Sequence, residues 1–365
     1  MKLFLYSDVH ISRTSSILPT ISENEKYTYR QNMIIKTAEW MSEIIKQENA
    51  NMIINLGDTF DQNTITSYDV ETASEFFKRF PSGIHHLVLC GNHEMLNSKD
   101  NVLKLLNNIE YISVIDTPTS IDNLLLIPYC DYKDLDFTSY NGADYLFLHH
   151  DIYGSQIAPG RVLDFGIEQN SLSKFKRVFN GHVHAASKFS NIVNVGSITT
   201  HSFADSPISY PTCYIFDTVT GELKEFYNRN CPLFRKIKID TIQELQNYLA
   251  VNLEQGWDYI LHIDCPFEIK SSVEDTIKNR PNVLNYKITT KSIKQDEVSE
   301  LENTKIESNL DVRKSFKDFL NTGIELRYPM NLYNEVIGEI KDKAEYAKID
   351  NKIEVLSSSK TNSLF

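Results

Sequence analysis

Short apolar runs that end abruptly in polar residues recur along the first half of the chain. Each run predicts a buried β-strand. The runs are residues 3–7, 52–56, 87–90 and 145–148. Apolar residues at helical spacing occupy residues 31–47 and 70–80, between the first three runs. This alternation of strand and helix predicts right-handed crossovers in a largely parallel sheet.

Strand signals dominate the chain from about residue 111 to residue 227. Residues 213–217 and 223–227 flank Thr220-Gly221, a pattern that is typical of a β-hairpin. The alternation of apolar and polar positions and the spacing of the turns predict that this second half is antiparallel.

The pattern of predicted strands and helices changes near residue 230, and this change predicts further domains. Thr241 and Glu244 have the spacing of a capping box, which predicts a helix start between two strands. The predicted parts are a main domain over residues 1–229, a small β-α-β-α-β domain over 230–290, a charged linker over 291–310, amphipathic helices over 311–350 and a flexible tail over 351–365. The predicted fold class is therefore mixed, α+β or α/β.

The composition limits the classes of function. The chain of 365 residues has a formal net charge of −12, so no overall field attracts nucleic acid, and a polyanionic substrate would need local basic patches or bound cations. The five cysteines are scattered without a C-x-x-C pair, which indicates free thiols in a reducing compartment. No apolar run approaches the roughly 20 residues that cross a bilayer. We expect a cytoplasmic protein without a membrane segment.

Polar clusters follow the predicted strands directly. They are Asp8-Val9-His10, Gly57-Asp58-Thr59-Phe60-Asp61, Gly91-Asn92-His93-Glu94, His149-His150-Asp151 and Gly181-His182-Val183-His184. The carboxyl ends of parallel strands form the ligand-binding edge of such sheets, so these side chains are expected to meet. Imidazole, carboxylate and amide groups suit divalent manganese, iron or zinc. A carboxylate shared by two cations can hold them about 3.5–4 Å apart, as in two-metal hydrolases.

These clusters resemble the five signature motifs of the calcineurin-like metallophosphoesterases, and they occur in the order of that family across residues 8–184. The resemblance implies a two-sheet β-sandwich flanked by helices. Within the superfamily, the chain looks most like the SbcD-type DNA double-strand-break repair nucleases, including phage recombination nuclease subunits. Residues 57–61 resemble the G-D-x-F-D form of that branch, and Asn194-Val195-Gly196-Ser197 resembles its later Gly-Ser turn.

The resemblance also implies partners. Residues 230–290 match the position and size of a DNA-capping domain in this branch. The helices predicted over 311–350 lie where SbcD-type proteins bind the coiled-coil root of an SbcC-type, SMC-like ATPase. A homodimer that acts on DNA in the cytoplasm, or in the host cytoplasm if the protein is phage-encoded, is therefore expected.

Roles carried over from the family assign most of the polar strand ends. The ligands of one metal would be Asp8, His10 and His184, and those of the other would be Asn92, His149 and His182. Asp58 would bridge the two ions, which are expected to be Mn²⁺, with Mg²⁺, Fe²⁺ and Zn²⁺ as alternatives. His93 would protonate the leaving oxygen or stabilise the transition state. Asp61 would orient a neighbouring group by hydrogen bonding.

The adjacent His149 and His150 cannot both face the same site on an extended chain. We select His149 because it directly follows the apolar run, and we expect His150 to be an exposed neighbour. Ser12 and Glu94 depart from the family pattern, in which glycine and aspartate are usual at these positions. The histidines predicted to be structural or surface residues are His85, His86, His201 and His262.

The leading hypothesis is a manganese-dependent DNA exonuclease or endonuclease. Its best candidate phosphate contacts are Lys174, Lys176, Arg177, Arg235 and Lys236, although a solvated basic face explains these residues equally well. The alternative is a phosphatase or phosphodiesterase that acts on a small molecule or a phosphoprotein, which suits the acidic chain. A non-catalytic scaffold is disfavoured because the ligand set is complete.

Overall fold

The computed structural model describes residues 1–13, 15, 18–19, 26–97, 100–158, 160–200, 202–203 and 210–291. The first elements in these residues are β1 (Lys2–Tyr6), α1 (Tyr29–Glu48), β2 (Met52–Asn55), α2 (Ser67–Lys78), β3 (His85–Leu89), β4 (Met95–Asn97), β5 (Asp100–Asn101), β6 (Ile112–Ile115), β7 (Thr119–Ile121) and β8 (Leu124–Ile127). They are followed by β9 (Tyr145–Leu148), β10 (Gln156–Ala158), β11 (Arg161–Val162), β12 (Arg177–Asn180), β13 (Ser187–Phe189), β14 (Ile192–Asn194), β15 (Thr212–Asp217), β16 (Leu223–Tyr227), β17 (Leu233–Lys238), α3 (Ile242–Asn252), β18 (Tyr259–Pro266), α4 (Lys270–Lys278) and β19 (Val283–Lys291).

The first sheet has the strand order β16-β15-β1-β2-β3-β6. Its strands β1, β2, β3 and β6 are mutually parallel, as the strand–helix alternation predicts. Strand β15 adds to β1 in the antiparallel direction, and β16 pairs antiparallel with β15. The parallel strands therefore all release their following loops at one edge of the sheet.

The second sheet has the strand order β13-β14-β12-β9-β8-β7. Its central strands β14, β12, β9 and β8 are parallel, and only the edge strands β13 and β7 pair antiparallel. The prediction of an antiparallel second half is thus wrong for the centre of this sheet. These central strands are buried on both faces, which is the usual environment of parallel strands.

The two six-stranded sheets pack face to face. Along β1, Leu3 and Leu5 belong to the core between the sheets, whereas Phe4 and Tyr6 point to the core beneath the helices α1 and α2. The alternation follows from the strand period of two. This is the predicted two-sheet sandwich flanked by helices. None of the helices in the described part of the chain has the length and apolar character that crossing a membrane requires.

A third sheet, β17-β18-β19, is entirely parallel and is joined through α3 and α4. The predicted β-α-β-α-β order is therefore present, and the sheet has its own apolar core around Leu245, Trp257 and Val273. Residues 1–295 form one compact unit. The domain boundaries stay predictions. The linker beyond residue 291, the helices over 311–350 and the tail over 351–365 lie outside the described residues.

Candidate metal centre

The loops that follow β1 and β2 run side by side at the carboxyl edge of the first sheet. The amides of Asp8 and His10 donate to the carbonyl oxygens of Gly57 and Asp58, both at 3.0 Å. Asp8, His10 and Asp58 all adopt positive φ angles of 55°, 49° and 50°. Non-glycine residues in this region cost about 1–3 kcal/mol each and persist where the surroundings impose them, often at functional sites.

Buried side chains hold the carbonyl oxygens of residues 8–10. Ser197 Oγ donates to the carbonyl oxygen of Asp8 at 2.8 Å, and Thr199 Oγ1 donates to that of Val9 at 2.8 Å. Arg30, which is almost fully buried, donates from Nη2 to the carbonyl oxygens of Val9 and His10, both at 2.9 Å. The turn after β14 and the first turn of α1 therefore fix the loop that carries Asp8 and His10.

Asp8, His10 and His184 form the first group of side chains that could hold a cation. The Nε2 atoms of the two histidines lie 3.0 Å apart, and His184 Nε2 lies 3.6 Å from Asp8 Oδ1. Asp8 is fully buried, and within the described structure neither of its carboxylate oxygens accepts a hydrogen bond. A buried carboxylate without such partners is costly, and a divalent cation is the partner that this donor set fits.

Asp58, His149 and His182 form the second group, with Asn92 beside them. His149 Nε2 lies 3.2 Å from Asp58 Oδ2 and 3.1 Å from Asn92 Oδ1. His182 Nδ1 lies 2.9 Å from the same amide oxygen. Two imidazole nitrogens, an amide oxygen and a carboxylate oxygen thus converge on one small volume, which again fits a divalent cation.

Asp58 lies between the two groups. Its Oδ2 is 3.2 Å from His149 Nε2 and 3.9 Å from His10 Nε2, while its Oδ1 accepts the backbone N–H of His93 at 3.0 Å. Burial opposes ionisation, but the neighbouring histidines hold the pKa of Asp58 well below its usual range. Burial likewise disfavours a charged His149, yet the Asp58 carboxylate raises the pKa of His149 to about 9. An ionised carboxylate is thus placed to contact both groups.

Three histidines of the cluster have a second contact through the other ring nitrogen. His149 Nδ1 lies 2.7 Å from the carbonyl oxygen of Leu56, and His182 Nε2 lies 3.1 Å from Asp151 Oδ1. His10 Nδ1 lies 3.4 Å from Asp61 Oδ1. An N–H directed at such an acceptor leaves the other ring nitrogen free to bind a metal. Asp61 thus lies within reach of His10, and its orienting role stays a prediction. Asp151 was not among the residues predicted from the sequence.

His93 stands at the open side of the cluster. Its side chain is 38% exposed, and its Nδ1 lies 2.5 Å from the carbonyl oxygen of Asp61. Its Nε2 lies 3.9 Å from Asp58 Oδ2. Because Nδ1 must donate to a carbonyl oxygen, Nε2 is the nitrogen available to a bound molecule.

Glycines make room for the close approach of these loops. A Cβ atom at Gly91 would lie 2.2 Å from Asp58 Oδ1, and one at Gly57 would lie 2.3 Å from His149 Nδ1.

Glu94, a departure from the family pattern, is fully buried and accepts hydrogen bonds from the backbone N–H groups of Phe60 and Gly91, each at 2.8 Å. Burial raises the pKa of Glu94 to about 8. This side chain joins the loops that follow β2 and β3.

The expectation that His150 is exposed is wrong. Its side chain faces away from the cluster, but the residue is only 1% exposed and its ring stacks on Tyr129. Its Nε2 lies 3.1 Å from the carbonyl oxygen of Pro128. The reason is that β9 is a central strand covered on both faces, so both residues after it enter protein interior. His149 is the one that faces Asp58.

The predicted basic contacts lie away from the cluster. Lys174, Lys176 and Arg177 precede or begin β12, whose opposite end leads to His182 and His184. Lys176 pairs with Asp144 at 3.0 Å, and Lys174 donates to the carbonyl oxygen of Tyr140 at 2.7 Å. The other two candidates, Arg235 and Lys236, lie in β17 of the third sheet.

The chain resembles several known proteins. Residues 1–186 match the family model described as calcineurin-like phosphoesterase. The chain is 28% identical over 213 residues to "Exonuclease subunit 1" of Enterobacteria phage T4, a match that covers 53% of this chain and 61% of that protein. The chain thus spans about three-fifths of this relative. The crystal structure of Pseudomonas putida nuclease MPE aligns with a TM-score of 0.28 at 15% identity, over 58% of this chain and 84% of that one.

Proposed function

Because the chain belongs to the calcineurin-like phosphoesterase family, we propose that it is a two-metal-dependent DNA nuclease that hydrolyses phosphodiester bonds. The family and the His/Asp clusters make it a metallophosphoesterase-type hydrolase. The nuclease function is supported by the buried carboxylate of Asp58, which lies between two convergent groups of donor side chains, and by the resemblance of the chain to a phage exonuclease subunit.

The proposed ligands follow the two groups. Asp8, His10 and His184 would hold one ion, and Asn92, His149 and His182 would hold the other. Asp58 would contact both. Mixed imidazole and oxygen donors without thiolate suit Mn²⁺, Fe²⁺ or Zn²⁺, and we favour Mn²⁺ over these and over Mg²⁺. When bound, two such cations activate water for attack on phosphorus and offset charge on the phosphoryl oxygens.

His93 is the proposed proton donor to the leaving oxygen. The carbonyl oxygen of Asp61 fixes its ring through Nδ1, so a protonated ring presents Nε2–H on the open side of the cluster. This position, next to the ligands but partly exposed, allows contact with a substrate oxygen. A positioned acid of this kind contributes about 10²- to 10⁴-fold to the rate.

The test compares wild type with His93→Gln on linear duplex and single-stranded DNA in the presence of Mn²⁺. We expect DNA cleavage to fall by about 10²- to 10⁴-fold while bound manganese, measured by elemental analysis, stays the same. Asp58→Ala is the matched variant, and it should lose both metal and activity. An active His93→Gln enzyme would remove His93 from the mechanism.

A phosphatase acting on a small molecule or phosphoprotein is the second candidate, and the net charge of −12 favours it because DNA is also anionic. Rapid hydrolysis of 4-nitrophenyl phosphate, together with no cleavage of any DNA substrate, would establish this alternative in place of the nuclease. The DNA contacts at Lys174, Lys176, Arg177, Arg235 and Lys236 are part of the nuclease proposal alone.

We also infer that the protein works as a homodimeric subunit with an SbcC-type, SMC-like ATPase in the cytoplasm. The name of the T4 relative, a nuclease subunit, supports a multi-subunit assembly. The five cysteines are free thiols, which suits a reducing compartment. The third sheet would act as the DNA-capping unit, and the helices predicted over 311–350 would bind the ATPase.

Removing residues 296–365 tests the partner proposal, because residues 1–295 form a compact unit without them. The shortened chain is expected to bind Mn²⁺ like the full chain but to lose co-purification with a co-expressed SbcC-type ATPase. Undiminished co-purification would contradict the proposed role of these helices.

A further inference from the structure

An open cleft lies directly beside the cluster. Its volume is about 500 Å³, and its walls come from the loops after β1 and β2 and from the first turn of α2. This volume is within the roughly 300–1,000 Å³ that is typical of ligand pockets. Asp61 lines the cleft and also contacts His10 and, through its carbonyl oxygen, His93. The cleft therefore begins where the proposed proton donor stands.

Arg13 and Tyr68 both line this cleft, and they lie against each other. The guanidinium carbon of Arg13 lies 3.8 Å from the centre of the Tyr68 ring. Tyr68 is 46% exposed, so its ring is accessible to a bound molecule. Aromatic rings and guanidinium planes are the groups on which proteins stack unpaired nucleobases.

The charges of the cleft suit a neutral planar group better than a phosphate. Asp69 already accepts hydrogen bonds from the N–H and hydroxyl of Thr66, at 2.8 and 2.7 Å. Asp61 faces His10. With Arg13 these are the charged groups that line the cleft, so carboxylates outnumber cations there. Gln62 and Ser67 add neutral side chains that can bond the edge of a base.

We propose that the nucleobase of the nucleotide on the leaving-group side of the scissile phosphate extends the stack that Arg13 and Tyr68 form. This inference rests on the proposed nuclease function. The cleft is on the side of His93, the proposed proton donor to the leaving oxygen. The nucleic-acid strand that continues from that oxygen therefore enters the cleft. A base can stack on Tyr68 and Arg13 only when it is unpaired, and the site therefore selects single strands or frayed duplex ends.

The direct test is binding of a single-stranded oligonucleotide that carries 2-aminopurine, with the full chain in EDTA so that no turnover occurs. Stacking on Tyr68 should quench the fluorescence of the probe. Tyr68→Ala is expected to weaken binding by roughly 5- to 100-fold and to lose the quenching, because one base–aromatic contact is removed. Tyr68→Phe, which keeps the ring, should behave like wild type.

Tyr111→Ala is the matched control. Tyr111 is 43% exposed, similar to Tyr68, but it precedes β6 at the opposite end of the first sheet. Wild-type affinity and quenching in Tyr68→Ala, or equal losses in Tyr111→Ala, would overturn the proposal. So would a Tyr68→Phe variant as weak as Tyr68→Ala.

Activity measurements distinguish a failure of the proposed stacking site from a failure of the proposed nuclease function. With Mn²⁺, Tyr68→Ala should raise KM for oligonucleotides while hydrolysis of bis(4-nitrophenyl) phosphate, which has no nucleobase, stays unchanged. If wild type cleaves no diester at all, the nuclease proposal fails. If wild type cleaves DNA and Tyr68→Ala cleaves it with the same KM, only the stacking site fails.

Discussion

Single side chains in the metal cluster owe their orientation to partners that no short motif contains. Asp151 lies directly after the two histidines that follow β9, yet its carboxylate orients His182, a residue 31 positions later. Arg30 fixes the carbonyl oxygens near His10 from the first turn of α1. Such contacts join residues far apart in sequence, so spacing alone does not reveal them.

Asp151→Ala should weaken manganese binding at the His182 group by roughly 10- to 100-fold, the usual effect of removing a residue that orients a metal-binding histidine. Without the carboxylate, the His182 ring can rotate and its tautomer is no longer selected. Isothermal titration with Mn²⁺ measures the change.

Asp151→Asn retains an acceptor oxygen and should lie between Asp151→Ala and wild type. Asp164→Ala, which removes an exposed carboxylate between β11 and β12, is the control and should bind Mn²⁺ normally. Equal affinities in Asp151→Ala and Asp164→Ala would show that Asp151 does not position His182.

The secondary structure elements were predicted well where a strand and a helix alternate. Helix α1 covers residues 29–48 and the predicted helix covered 31–47, and the parallel pairing of β1, β2 and β3 is confirmed. The antiparallel prediction for the second half is wrong at β8, β9 and β12. The apolar run of β9 carries no polar alternation, and two-sided burial of this kind marks a parallel central strand.

At the scale of the whole molecule, the sandwich has one core between its sheets and another beneath α1 and α2. His86 is buried in the second core, where its Nε2 lies 2.9 Å from the hydroxyl of Tyr6 and its ring lies against Phe77 and Phe80. Burial lowers the pKa of His86 to about 3. The folded protein therefore keeps this imidazole neutral at pH values where the unfolded chain protonates it.

This difference predicts loss of stability in acid. Between about pH 6.5, the ordinary pKa of histidine, and pH 3, the unfolded state binds the extra proton, so the free energy of unfolding decreases as pH falls. Burial also lowers the pKa of His150, to about 4, and adds to the same trend. Between pH 6.5 and 4.5, the free energy of unfolding of His86→Phe should decrease by about 2–3 kcal/mol less than that of wild type.

Urea unfolding of wild type and His86→Phe at several pH values measures the slope. The absolute stability can shift, since the Tyr6 hydroxyl loses its contact with His86, but the change of the free energy of unfolding with pH is the quantity compared. His85→Gln changes the exposed neighbouring histidine and should keep the wild-type slope. Identical slopes in wild type and His86→Phe would contradict the assignment.

The sequence by itself determined the apolar runs, the polar residues that end them and the family to which those residues belong. These properties are local, because an apolar run and the polar residues that follow it involve only neighbouring positions. The tertiary structure decided which strands are parallel neighbours, that His150 is buried, and that Asp151, Arg30 and Glu94 support the cluster. Those contacts depend on how separate loops meet at one sheet edge, which no local pattern encodes.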